Sequence, residues 1–244
     1  MAKKLRWYDI ITVNIFYFSL TTRSQTLSVI VPILVQDFVG DATKGTALGN
    51  IRLWGLMIAV LFQAVAGILS DRNTSRIGRR RPFMLIGGVT EVLVFIAIGV
   101  IAATMEGQAG YWVLFATYIL SMLSANTGHA AVQGLIPDIV PESKRGLYSG
   151  VKAFFELPAP LIFVSFVIAK LVGNDNILGA LIVLSGVVLV CTAIAMAVPE
   201  KPISKPPYPM DWAPILRLVL MTGAFTAIIL GAGALVNFVN QLTG

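Results

Sequence analysis

Charge is what this sequence lacks most. Asp, Glu, Lys and Arg make up 12% of its 244 residues, against about 25% in a soluble domain. Cysteine is nearly absent too. Cys191 is the single one, which excludes a disulfide within the chain and a zinc site built from thiolates. No nucleotide-binding loop, no nucleophile–base arrangement and no metal-ligand spacing occurs, so neither enzyme activity nor a cofactor is expected. No Ala-x-Ala cleavage site follows the first apolar run, which therefore reads as a retained helix despite its basic start at Lys3, Lys4 and Arg6. In place of charge the chain has apolar residues, 57% of the total, and a mean hydropathy of +0.83. A disordered chain, a disulfide scaffold and an ordinary cytosolic enzyme are excluded. The bilayer is the solvent this composition expects.

Seven runs are long enough to cross it: 10–35, 49–69, 83–104, 111–136, 147–171, 177–198 and 215–239. Each exceeds the ~20 residues a helix needs to span ~30 Å of hydrocarbon. None alternates as a barrel strand would, so an all-α polytopic membrane protein is predicted. The net charge of +6 does not indicate nucleic acid, because the basic residues sit between the runs and act there as topology signals. Lys3, Lys4, Arg6, Arg72, Arg76, Arg79, Arg80, Arg81, Lys144, Arg145, Lys201, Lys205 and Arg217 fall on one side. Lys44, Arg52 and Lys170 fall on the other. The imbalance places the N-terminus in the cytoplasm and, with an odd number of spans, the C-terminus opposite. The segment PEKPISKPPYPMDWAP, 199–214, is too rich in proline to continue a helix. It divides a bundle over 1–198 from a seventh span over 215–244.

Polar residues concentrate in the first and fourth runs. Asn14, Ser19, Thr21, Thr22, Arg23, Ser24, Gln25, Thr26 and Ser28 lie in the first; Thr117, Ser121, Ser124, Asn126, Thr127, His129 and Gln133 lie in the fourth. The third and sixth are far more apolar. Two repeats of three helices, the first of each lining a cavity, would give this pattern. Ionisable groups within spans cost about 2.5–3.5 kcal/mol each on insertion scales, so each needs a reason. Arg23 reads as a partner of a buried carboxylate or of solute. Glu91 or Glu156 reads as a proton site, with two alternatives open: Glu91 as a partner of the arginine-rich loop, and Glu156 neutralised by Lys152 one turn earlier. Asn126, His129, Gln133 and Pro137 share a helical face. Pro158 and Pro160 directly follow Glu156 and should kink the fifth span. The candidate solute and ion cavity is therefore Arg23, Gln25, Glu91, Asn126, His129, Gln133 and Glu156.

The loop after the second span carries the densest signal. It runs Gly67-Ile-Leu-Ser-Asp71-Arg72-Asn-Thr-Ser-Arg76-Ile-Gly78-Arg79-Arg80-Arg81-Pro82-Phe83. A carboxylate at a helix end beside clustered guanidinium groups can form bonds that hold one conformational state and break in another. Gly67, Asp71, Arg72, Arg76, Gly78, Arg79 and Arg80 are candidates for such a latch. A second stretch, Pro137-Asp138-Ile-Val-Pro141-Glu-Ser-Lys144-Arg145-Gly146, adds Asp138 and Arg145.

The first loop resembles the Gly-x-x-x-Asp-Arg/Lys-x-Gly-Arg/Lys-Arg/Lys signature of the major facilitator superfamily. Its longer form is similar to that of the sucrose–proton symporters and the wider glycoside-pentoside-hexuronide group. The second stretch resembles the loop joining helices four and five. The resemblance covers residues 1 to about 200 and implies a six-helix half of that fold plus a seventh helix. It implies secondary transport of a small polar, sugar-like solute by alternating access. One departure is visible: aligned on Asp138, Gln133 stands where sucrose symporters have arginine, and His129 where they have glutamine. Such transporters bind solute between two halves, so the lipid bilayer, a small polar solute, and a second membrane half or other membrane subunits are the expected partners. The other reading is a non-transporting half-facilitator serving as an accessory or assembly subunit of a membrane complex.

Overall fold

The computed structural model describes residues 5–200, 202 and 212–243; most of the proline-rich 199–214 segment lies outside the described residues. Helices account for nearly all of the rest. They are α1 (Asp9–Val39), α2 (Asp41–Arg72), α3 (Arg81–Thr104), α4 (Gly107–Gln133), α5 (Leu135–Ile139), α6 (Glu142–Glu156), α7 (Pro158–Phe163), a π-helical segment (Val164–Ile168), α8 (Ala169–Gly173), α9 (Ile177–Ala195) and α10 (Ala213–Thr243). Local chemistry sets several of these boundaries. Gly40 has φ 76°, a left-handed conformation that lets α1 turn into α2 through one residue. The second span therefore begins at Asp41, a full two turns before the apolar run at 49. Pro82 sits in the first turn of α3, where its missing N–H costs nothing. The Asn176 side chain caps α9 by accepting from the Gly179 amide at 2.8 Å.

Among the described residues six helical stretches are long and apolar enough to cross a membrane: α1, α2, α3, the broken run Glu142–Gly173, α9 and α10 over Ala213–Val236. The seventh, α4, has 27 residues but is too polar to meet the same standard, because Ser121, Ser124, Asn126, His129 and Gln133 interrupt it. It packs between α2 and α3, so protein rather than lipid surrounds much of it. Proline breaks the fifth span where the sequence places it. Helix α6 ends at Glu156, Leu157 leaves the helical region (φ −128°, ψ −71°), and the chain restarts at Pro158.

Lipid is as apolar as leucine, so close packing rather than the hydrophobic effect holds such helices together. A Cβ on Gly87 would lie 2.9 Å from the Gly128 amide nitrogen and the Ser124 carbonyl oxygen, so α3 and α4 meet backbone to backbone. The interior divides into two apolar clusters. One holds Leu27, Ile30, Leu34, Ile51, Phe95, Ile98, Leu114 and Leu181. The other holds Val13, Phe16, Tyr17, Met84, Leu135 and Tyr148. Between them along α1, α3 and α4 lies a polar layer of Arg23, Glu91 and Ser121. Helix α10 packs on α2, with Leu53, Leu56, Met57 and Val60 facing Leu218, Met221, Phe225 and Ile229. Most of its other described side chains are exposed.

Candidate functional site

The polar layer is built around Arg23. Its Nε donates to Glu91 Oε1 at 2.7 Å and to the Ser121 hydroxyl at 3.2 Å. Ser121 in turn donates to Glu91 Oε1. All three are buried: Arg23 is 5% exposed and Glu91 3%. Charge-assisted bonds from a guanidinium are what make a carboxylate tolerable at this depth. Of the two readings left open for Glu91, the structure contradicts the loop-partner one: its cation is Arg23 of α1, while Arg80 of the loop pairs with Asp71 and Asp138.

In front of Arg23 a cleft of about 380 Å³ opens between α1, α4 and α6, lined by Tyr17, Leu20, Thr21, Arg23, Ser24, Ala125, Asn126, His129 and Glu156. Lys152 pairs with Glu156 at 3.4 Å one turn away, and its ammonium stands 4.6 Å from the centre of the Tyr17 ring. The charges of the cleft are therefore matched, Arg23 by Glu91 and Glu156 by Lys152. Four of the expected cavity residues line it: Arg23, Asn126, His129 and Glu156. Three do not, and these placements correct the sequence reading. Glu91 lies behind Arg23, on α3. Gln133 is exposed and turned toward α2, where its oxygen accepts from Gln63 at 3.3 Å and its amide nitrogen lies 3.0 Å from His129 Nε2. Gln25 is half-buried, and its side-chain oxygen is enclosed without a partner. A one-residue step along a helix rotates a side chain by about 100°, so neighbours in a dense polar run cannot all face one cavity.

At one end of the bundle the arginine-rich loop forms a second site. Arg80, 6% exposed, reaches Asp71 at the end of α2 at 2.7 Å and Asp138 on α5 at 2.6 Å. Arg79 also binds Asp138. The guanidinium lies flat against Gly134, where a Cβ would come within 1.9 Å of Arg80 Cζ. Arg145 donates to the Val140 and Pro137 carbonyls at 3.2 and 3.1 Å, fixing the α5–α6 turn. Gly67 faces Ala130 of α4, 4.0 Å from where its Cβ would be. Two expected members contribute nothing of this kind: among the described residues neither Arg72 nor Arg76 makes an ion pair with Asp71 or Asp138, which bind Arg79 and Arg80 instead. One member was missed by the sequence reading. Glu200, just after α9, accepts from the main-chain N–H groups of Arg80 at 2.9 Å and Arg81 at 3.3 Å. Gly78, at φ 124°, packs against that carboxylate and leaves no room for a side chain. The only sequence signal for Glu200 was an acidic residue opposite a helix start, since its partner is backbone.

The Major Facilitator Superfamily sequence pattern matches residues 13–243. The chain belongs to the major facilitator superfamily. Members of that superfamily are transporters rather than enzymes, and the chain is an integral membrane protein embedded in the lipid bilayer. A short stretch is also similar to a curated protein, the general alpha-glucoside permease of Schizosaccharomyces pombe, at 68% identity over 31 residues. That stretch is 13% of this chain and 6% of the permease.

Proposed function

We propose that this facilitator moves a small, uncharged, hydroxyl-rich solute, sugar-like in chemistry, through the cleft between α1, α4 and α6 by alternating access. The observation that carries the reading is the cleft itself. Its volume of about 380 Å³ falls in the ~300–1,000 Å³ range of small-molecule sites. Its lining combines an aromatic face, Tyr17, with amide, hydroxyl and imidazole groups. Its charges are internally matched, which suits a neutral solute and disfavours an ion. The long form of the 67–83 loop, like that of the glycoside-pentoside-hexuronide group, and the short likeness to an alpha-glucoside permease point the same way.

The Arg80 cluster is the cytoplasmic latch of this scheme. Asp71 of α2, Asp138 of α5 and Glu200 beyond the end of α9 converge on one short segment, so the segment joins them in one state and must release them for that end to open. Polar groups of the cleft cannot face lipid without a cost of several kcal/mol, so a second membrane half, or other membrane subunits, covers it. The test is counterflow: the protein, with the membrane chains that co-purify with it, is reconstituted into proteoliposomes loaded with unlabelled maltose, sucrose, glucose, serine or phosphate. Faster entry of the labelled form of a neutral sugar supports the reading. Stimulation by serine or phosphate alone refutes the solute class, and stimulation by none supports an accessory role.

A further inference from the structure

We propose that the crevice between the far ends of α1, α3 and α9 seats an amine-headed phospholipid of the surrounding bilayer. It lies at the end of the bundle opposite the Arg80 cluster. The inference stands apart from the transport reading, since it needs neither the solute nor the α1–α4–α6 cleft.

The crevice has a volume of about 540 Å³, larger than the α1–α4–α6 cleft. Phe95, Gly99, Ala102 and Ala103 of α3 and Leu178 and Leu181 of α9 form its walls. Those walls pass directly into the outer surface of the bundle, where Ile96, Val100, Leu178 and Ile182 are each more than half exposed. In a bilayer that surface meets acyl chains, so hydrocarbon fills an apolar crevice continuous with it. The rim is polar. Asp37 in the last turn of α1, Thr104 at the end of α3, and Asp175 and Asn176 just before α9 border it.

The rim carries one sign of charge. Among the described residues neither Asp37 nor Asp175 makes an ion pair. Lys44, Arg52 and Lys170, the basic residues toward this end, line no part of the crevice. Two carboxylates without a cation, at the mouth of an apolar crevice, suit a ligand with a hydrocarbon body and a cationic head. The first turn of α9 suits a phosphate beside that head. The Gly179 amide is taken by the Asn176 side chain, while the amides of Ile177 and Leu178 have no acceptor among the described residues, and a helix N-terminus favours an anion. A primary ammonium donates charge-assisted hydrogen bonds to the carboxylates. The quaternary ammonium of phosphatidylcholine has no N–H to donate, the net negative charge of phosphatidylglycerol is repelled, and a sterol hydroxyl leaves both carboxylates uncompensated. Phosphatidylethanolamine meets each requirement.

Native mass spectrometry tests it on the purified protein, with the membrane chains that co-purify with it, offered phosphatidylethanolamine, phosphatidylcholine and phosphatidylglycerol of matched acyl chains. Wild type should retain phosphatidylethanolamine in preference to the other two. Asp37→Asn/Asp175→Asn removes both charges at nearly constant shape, and asparagine tolerates the φ of 57° at position 175. It should lower the preference over phosphatidylcholine by about tenfold, the worth of two exposed charge-assisted bonds. Asp41→Asn, at the same end but outside the crevice, should keep the preference. Ala103→Trp fills the crevice with both carboxylates in place and should lower retention of the lipid itself. Equal retention of the three lipids by wild type overturns the inference. So does a preference that survives the double substitution or is lost equally in Asp41→Asn, or unchanged retention in Ala103→Trp. Displacement of the lipid by an equal concentration of glycerophosphoethanolamine, which has no acyl chains, overturns it in favour of a soluble amine. None of these outcomes depends on counterflow, so a failure here leaves the transport reading standing.

Discussion

Gly134→Ala isolates the proposed Arg80 latch without removing a charge. A methyl carbon there would lie 1.9 Å from Arg80 Cζ and 2.1 and 2.2 Å from its two terminal nitrogens. The guanidinium must leave, because α4 and α5 both anchor the backbone at Gly134. Leaving breaks its contacts with Asp71 and Asp138. Buried charge-assisted bonds are each worth ~1.5–3 kcal/mol, but the side chains of Asp71 and Asp138 are 56% and 32% exposed, which pulls the pair toward the ~0–1 kcal/mol of surface ion pairs. A total of about 1–3 kcal/mol is expected, a shift of roughly 5- to 150-fold in the equilibrium between latched and open states. The assay is labelling, by an impermeant maleimide, of a cysteine introduced at Ser24 in the cleft; native Cys191 is buried. Gly134→Ala should change the labelling rate by that factor, in the same direction as Arg80→Ala. In the Arg80→Ala background it should then add less than about 0.5 kcal/mol, since the group it displaces is gone. Full additivity of the two would refute the reasoning.

Other expectations concern the polar layer and the packing around it. Arg23→Ala leaves Glu91 buried without its cation, at a cost of about 3–5 kcal/mol; a thermal-shift assay should show a large loss, partly restored by adding Glu91→Gln. Gly87→Ala drives a methyl against the α4 backbone, where no side chain can move aside, and should lower stability by ~1–3 kcal/mol; wild-type thermal stability would contradict the backbone-to-backbone crossing of α3 and α4. Glu200→Gln weakens the clasp on the Arg80 and Arg81 amides, so hydrogen exchange of those amides should quicken while α1 amides keep their rate.

The spans were legible because apolar length is a strong signal, and seven helical stretches occur close to the seven runs. Their ends were less so. The start of α2 depends on the positive φ of Gly40, and the disruption after Glu156 extends into a π-helical segment that proline positions alone do not specify. Within the candidate site, the cost of burying a charge singled out Arg23 and Glu91, but only packing could show that they face each other. A polar helix such as α4 has no apolar stripe to orient it, so Gln133 was assigned to the cavity when it faces α2. Glu200 and Gly134 escaped notice for a common reason: one binds main chain and the other acts by having no side chain, and neither leaves a pattern in residue type.

The most direct test of the central claim, that the α1–α4–α6 cleft is the solute passage, uses the Asn126→Cys variant in proteoliposomes that pass the counterflow test. Labelling by a maleimide is measured with and without the counterflow sugar. The account predicts that the sugar slows labelling at saturable concentrations matching those that drive counterflow, while a cysteine on the outer face of α3, at Ile96, is unaffected. Equal labelling at Asn126 with and without the sugar would contradict it.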